Sequence, residues 1–537
     1  MKKVLKMDPA VLKSSSSRHE ADHSKMIVLC IICAIGGGFI FGYSMGVSGV
    51  TNTQKSFIED FCVDTYGTED ECFTKSSSKP EHFIFFSTQF SAMLSLGCVF
   101  GAIGGAVLND YVGRRNALVF STFIFSVASV FSAFAPSSTL VLLGRFLCGL
   151  GVGGSSTVAP VLISEVSTSQ LRGQLSCVLP LMICIGLIAA ALVAEVFEDS
   201  PVAWRICLGV PALPAVLVAA VVAFYPESPR WLMVTRGWEA AERSLISLRQ
   251  SSEVQRELNG ISDSLRENNA SPGSWAAFCS MPMLKRIFVA CMIQALLVGS
   301  GINMIFTYGN NILRDVGVFN RTTGLVIIYM INCIGTAAAI FQIDHVGRRA
   351  LLLQGACGMF LGHLGSAITV VVLQLEDEDS LGTQEGEIGA YLFVSFVGVT
   401  TLYIASSFGP VAWIYPSEIF PYRARSKAVC VTTLVHWLTI YASSYSLEVI
   451  YRLGLASTFF LLAAMAILAF MFVVYFVPET KGHSLEEIQL LFTSEKGSLY
   501  DVCYEDQLTS LKAMYQATGK LTPNEEEVLP LIKSEQN

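Results

Sequence analysis

Five side chains interrupt otherwise apolar stretches in the second half of this sequence: Gln294, Asn303, Asn332, Trp413 and His436. Amides offer donors and acceptors together, an indole offers a flat apolar face, and a neutral imidazole offers one of each. Such groups can hold a hydroxylated molecule, but nothing beside them could break one. No metal-ligand cluster, nucleophile–base pair or phosphate-cradling loop accompanies them, so neither an enzyme nor a cofactor nor a metal is expected. A second set is charged: Asp110, Arg114, Arg115, Glu165, Arg172, Glu227 and Arg230, then Asp344, Arg348, Arg349, Glu418 and Arg425. The chemistry open to these is ion pairing.

The elements that must position both sets are membrane spans. Of 537 residues, 52% are hydrophobic and only 15% charged, with a mean hydropathy of +0.55. A soluble domain carries roughly 25% charged residues. Apolar runs long enough to cross a bilayer recur at about 27–50, 83–107, 117–135, 139–163, 176–197, 204–225, 286–308, 323–343, 350–374, 389–415, 428–448 and 455–477. Lys and Arg gather at alternate ends of these runs, which the positive-inside rule places in the cytosol together with both termini. The loop from Thr51 to His82 and the acidic run Glu376–Asp379 then face outward. No cleaved signal peptide is expected, because the polar head leads into a full-length span. The net charge of −8 points to no nucleic-acid partner, since most of the chain lies in lipid.

Of fifteen cysteines, only Cys62 and Cys72 share an outward loop, where they form either a local disulfide that stiffens a small lid or two free thiols. Asn320 opens the sequon Asn320-Arg321-Thr322 in another outward loop, a possible glycosylation site, whereas the sequon at Asn269 faces the cytosol. The stretch GGFIFGYSMGVSGV, Gly37 to Val50, lacks the βαβ context and the acid about 20 residues on that a dinucleotide site requires. Its Gly38, Gly42 and Gly46 suit close helix packing in lipid instead, and so do Gly144, Gly149, Gly151, Gly153 and Gly154.

Landmarks repeat in order. Asp110-Tyr-Val-Gly-Arg-Arg115 returns as Asp344-His-Val-Gly-Arg-Arg349, Ser164-Glu165 as Ser417-Glu418, and Pro226-Glu-Ser-Pro-Arg230 as Pro478-Glu-Thr-Lys-Gly482. The chain reads as a duplicated six-span unit. With GPVAWIYPSEIFPYRARS at Gly409–Ser426, these motifs resemble the sugar porter family of the major facilitator superfamily over about residues 26–495.

The resemblance implies an all-α polytopic membrane protein with two six-helix bundles around a central cavity. The cytosolic N-terminal segment would be 1–26, the bundles 27–225 and 286–482, the helical interlude 226–285 and the cytosolic tail 483–537. In the interlude, Leu245, Ile246, Leu248, Leu258, Ile261 and Leu265 recur at irregular helical spacing. The resemblance further implies alternating-access transport of a hexose or related polyol at the plasma membrane, with the charged set latching the helix ends and no chemistry on the solute. Asn303, Asn332 and Trp413 match sugar-contacting positions, and Gln294 matches a glutamine one turn earlier. Leu297-Val298 and Pro180 stand where the family has glutamines, which leaves a glucose pose short of partners. His436 lies in a stretch similar to some fructose carriers, with a structural buried histidine as the alternative; His363 has no such match and reads as structural.

Ser44 follows Phe41-Gly42-Tyr43, where proton-coupled members place an Asp, so the expectation is a uniporter. The alternatives are a member retuned for another small organic solute, a proton symporter, and a nontransporting nutrient receptor. In the tail, Glu527, Leu531 and Ile532 have the spacing of an acidic dileucine signal for a sorting adaptor.

Overall fold

The computed structural model describes residues 23–63, 72–73, 80–168, 171–249, 254–267, 281–318, 321–375, 384–420, 422–446 and 453–481. Asn320, Glu527, Leu531, Ile532 and the acidic run at 376–379 lie outside them, as do the side chains of Arg172, Asp344 and Arg425.

Backbone polar groups in lipid must be satisfied within their own segment, and uninterrupted apolar runs achieve this as helices. Among the described residues, eleven helices are long and apolar enough to cross a membrane: Ser24–Thr51, Glu81–Tyr111, Arg114–Ala133, Ser138–Val166, Gly173–Val196, Ala203–Ala223, Met281–Asp315, Thr322–Ile343, Arg348–Val372, Gly386–Pro416 and Leu455–Phe476. The remaining expected span is the helix Tyr422–Ser443, whose apolar run is diluted by Thr432, Thr433, His436 and Thr439. It packs against the second and seventh spans, so it belongs to the bundle. With it, the spans are numbered one to twelve below.

Two spans are broken where the cavity lies. The seventh divides at Gly301 (φ +82°) into Met281–Gly299 and Ile302–Asp315. The tenth divides at Ser407 into Gln384–Ser406 and Phe408–Ile419. At the first break His363 of the ninth span meets the Ser300 carbonyl at 2.8 Å, so Nε2 must carry the proton. The glycines of the first span serve packing: a Cβ on Gly42 would stand 1.9 Å from the Ile183 carbonyl oxygen of the fifth span.

The halves meet at the ends opposite the Arg-Arg pairs, through Asn310 Nδ2 to Thr53 Oγ1 (3.2 Å) and Gln89 Nε2 to the Tyr445 hydroxyl (3.2 Å). Deeper in, Trp437 Nε1 donates to Ser156 Oγ at 3.3 Å. Cys62 and Cys72 are joined, with their Cα atoms 6.0 Å apart, beside short helical turns whose Phe57 and Phe61 pack on Trp204.

Between the halves run the helices Pro229–Thr235, Trp238–Arg249 and Gln255–Glu267. Leu232, Ala241, Leu245, Val254 and Leu258 form their small core, while Ile246 points outward. Arg249 grips Glu257 at 2.7 and 3.0 Å and donates to the Val166 carbonyl at 3.0 Å, tying this layer to the end of the fourth span.

Candidate solute-binding site

A cavity of about 80 Å³ lies between the halves. The seventh span brings Asn303 to its wall just past the Gly301 break, the eighth brings Asn332, the tenth Trp413 and the eleventh His436. Four of the five polar groups expected from the sequence therefore share one space. The Trp413 and His436 rings meet edge to face, with centroids 5.1 Å apart, and Phe41 of the first span stands across from the imidazole at 6.4 Å. His436 is only 3% exposed, yet neither ring nitrogen has a hydrogen-bond partner. Asn332 Oδ1 accepts from the Cys184 thiol at 2.9 Å and from Thr336 Oγ1 at 3.4 Å.

Gln294 departs from expectation. Its Nε2 donates 2.8 Å to the Ala412 carbonyl, stapling the seventh span to the tenth instead of lining the cavity. Pro180 and Leu297 do line it and Val298 does not, so two of the three positions that lack amides are on the wall itself. Cys184, Thr336 and Phe41 line it as well. The only sequence signal for Cys184 was its place one helical turn after Pro180, and a cysteine in a span reads first as apolar filler.

Sequence reading also passed over Arg145, a cation in the fourth span that is 2% exposed. Its Nη2 donates to the Ser44 carbonyl at 3.2 Å and to Ser48 Oγ, its Nε donates to the Phe90 carbonyl at 3.3 Å, and its guanidinium lies 4.6 Å from the Phe90 ring centre. Ser44 turns its own hydroxyl back to the Ile40 carbonyl at 2.8 Å. The hydrogen bonds described for Arg145 thus go to neutral groups.

The charged set forms two matching clusters. Arg114 chelates Glu165 (3.1 and 3.2 Å) with Asp110 3.7 Å away, and Ser228 Oγ donates to the same Glu165 carboxylate. In the second half Arg348 reaches Glu418 (2.7 and 3.2 Å), which also accepts from Thr480 Oγ1 at 2.8 Å. Each of these pairs joins helices of a single half.

The expected ion pairs of Arg115, Arg349 and Glu227 take another form. Glu227 accepts the backbone N–H groups of Arg115 (2.9 and 3.1 Å) and Ser228 (2.8 Å), capping the third span. Its carboxyl is pushed up in pKa by burial, against the pull of those N–H groups. The guanidinium of Arg115 goes to the Tyr225 carbonyl at 3.0 Å, and that of Arg349 to the Val474 carbonyl at 2.8 Å. Glu479, absent from the expected set, caps the ninth span by accepting from Arg348 N (2.8 Å) and Arg349 N (3.0 Å). The glycine ahead of each arginine pair is thereby explained. Gly113 (φ +100°) and Gly347 (φ +101°) adopt left-handed backbone, and a Cβ there would stand 2.3 and 2.7 Å from the capping carboxylates. Arg230 sits half-buried on the helix Pro229–Thr235.

A model of the sugar (and other) transporter family matches residues 29–492. The chain belongs to that family. Among its relatives is the glucose transporter GlcP of Staphylococcus epidermidis, 32% identical over 413 residues that cover 76% of this chain and 89% of the relative. Another is the galactose-proton symporter of Escherichia coli, 30% identical over 467 residues that cover 86% and 93%. The fold matches the proton:xylose symporter XylE at a TM-score of 0.74 and 24% identity, covering 88% of this chain and 100% of that one. This sugar transporter is therefore a multi-pass membrane protein of major facilitator architecture, and a carrier rather than an enzyme. Within that family, its two capped arginine pairs are the internal repeat read in three dimensions.

Proposed function

We propose that this transporter carries a hexose or related polyol down its gradient across the plasma membrane, as a uniporter, by exposing the cavity alternately to either side. Asn303, Asn332 and His436 supply the hydrogen bonds and Trp413 the ring face on which a pyranose lies. A hexose is supported by the relatives named as glucose and galactose carriers. The Arg-Arg ends face the cytosol with both termini, and the clusters around Glu165 and Glu418 steady the helix ends while the halves rock. The Cys62–Cys72 lid and the Asn320 sequon, a glycosylation site on this reading, then lie outside, and Glu527, Leu531 and Ile532 meet a sorting adaptor inside.

Uniport rests on one observation: the hydrogen bonds described for Arg145 beside Ser44 go to carbonyls and a hydroxyl. An intramembrane acid is what a carboxylate proton relay would need. Here Asp110, Glu165, Glu195, Asp315, Asp344, Glu387 and Glu418 all lie near helix ends. Sealed proteoliposomes test this. Labelled hexose equilibrates under an imposed pH gradient if the reading is right, whereas uphill accumulation abolished by a protonophore would replace it with proton symport. That second reading has in its favour the galactose-proton symporter among the relatives.

A further inference from the structure

The polar side chains of the cavity wall come almost wholly from the C-terminal half of the chain, which also contributes apolar Leu297, Ile302, Phe306, Ile404 and Ala405. The N-terminal half contributes Phe41, Pro180, Ile183, Leu187 and Cys184. Four of these are hydrocarbon. The fifth is a thiol already engaged, 2.9 Å from Asn332 Oδ1 and 3.3 Å from Thr336 Oγ1. Every other polar group on the wall comes from the C-terminal half. Among the described residues, the Asn303 amide, Nδ2 of Asn332 and both nitrogens of His436 have no hydrogen-bond partner. His436 is the decisive one, because both of its ring nitrogens are free of protein partners and so available to a solute in the cavity they adjoin.

We infer that the preferred solute is amphipathic by face: a pyranose-sized ring with hydroxyls along one edge and at least one ring position bare, so that a monodeoxy sugar binds better than its fully hydroxylated parent. The inference rests on the hexose reading above and narrows it. A fully hydroxylated hexose in this cavity must turn some hydroxyl toward Phe41, Pro180, Ile183 or Leu187, where no acceptor or donor replaces the water it sheds. Cys184 adds to the bias, because it occupies the Asn332 carbonyl oxygen that a hydroxyl would otherwise use. Hydroxyls on the other edge meet Asn303, Asn332 and His436, and there each is paired.

The experiment is competition in proteoliposomes holding the full-length protein. Counterflow first identifies which of labelled D-glucose, D-galactose and D-fructose is carried. The monodeoxy analogue at each position of that sugar then competes with it. At least one analogue should bind several-fold better than the parent, while those missing a hydroxyl from the C-terminal edge should bind about tenfold or more worse. A loss of about tenfold at every position would overturn the inference and leave hexose transport standing. Counterflow with none of the three sugars would instead remove the hexose reading, and the inference with it. As a second arm, Pro180→Gln places an amide on the dry wall and should raise the affinity of the parent relative to the best deoxy analogue by about tenfold. The wild-type panel decides the matter even if that variant does not fold.

Discussion

Removing the Glu479 side chain is the sharpest perturbation the helix-end clusters allow. Its carboxylate accepts four backbone N–H groups, from Arg348 (2.8 Å), Arg349 (3.0 Å), Thr480 (2.9 Å) and Lys481 (3.0 Å). Hydrogen bonds to a charged acceptor contribute about 1.5–3 kcal/mol each. Water can replace the carboxylate at exposed Lys481, and buried Thr480 is Glu479's own neighbour in the chain, so only the two donors that open the ninth span are counted, at the low end of the range. Glu479→Ala should then cost about 3 kcal/mol. In a protein of this size that lowers the melting temperature by a few degrees. The mirror change Glu227→Ala should cost less, because burial opposes the charge of Glu227 and so cancels part of what its hydrogen bonds contribute. Thermal unfolding of purified protein in detergent, followed by tryptophan fluorescence, reads both. Equal losses, or a larger loss at Glu227, would refute the reasoning, as would a melting temperature unmoved by Glu479→Ala.

Trp413→Ala and Asn332→Ala should each reduce hexose uptake about tenfold or more while surface abundance stays near that of the parent protein, because both side chains line the cavity. Unchanged uptake in both would remove the site assignment. Glu227 should also leave a pH signature. Its folded pKa lies above the ordinary 4.5, so its contribution is fully present below that value and is lost as pH rises through the raised one. Glu227→Gln should flatten that part of the profile of melting temperature against pH, and an unchanged slope would count against burial as the cause.

What could be read without coordinates was whatever is local or repeated. A span declares itself through its own run of apolar residues, although the seventh, expected over 286–308, extends over Met281–Asp315 and is broken at Gly301. The duplication was legible because the Gly-Arg-Arg and Pro-Glu motifs recur in order, and Asn303, Asn332, Trp413 and His436 were legible as polar groups in apolar company. Partnership was not, because it depends on how helices far apart in sequence are rotated against one another. Gln294 sits one turn before Leu297, yet the rotation of its helix turns the amide to Ala412 and Leu297 to the cavity. In the sequence Glu479 stood only as the acid of a repeated Pro-Glu motif. Only the left-handed turn at Gly347 aims two backbone N–H groups at it, so the tertiary structure makes it a cap. Cys184 likewise had the composition of a filler, and it became a partner of Asn332 only when the fifth and eighth spans, 148 residues apart at this contact, were laid side by side.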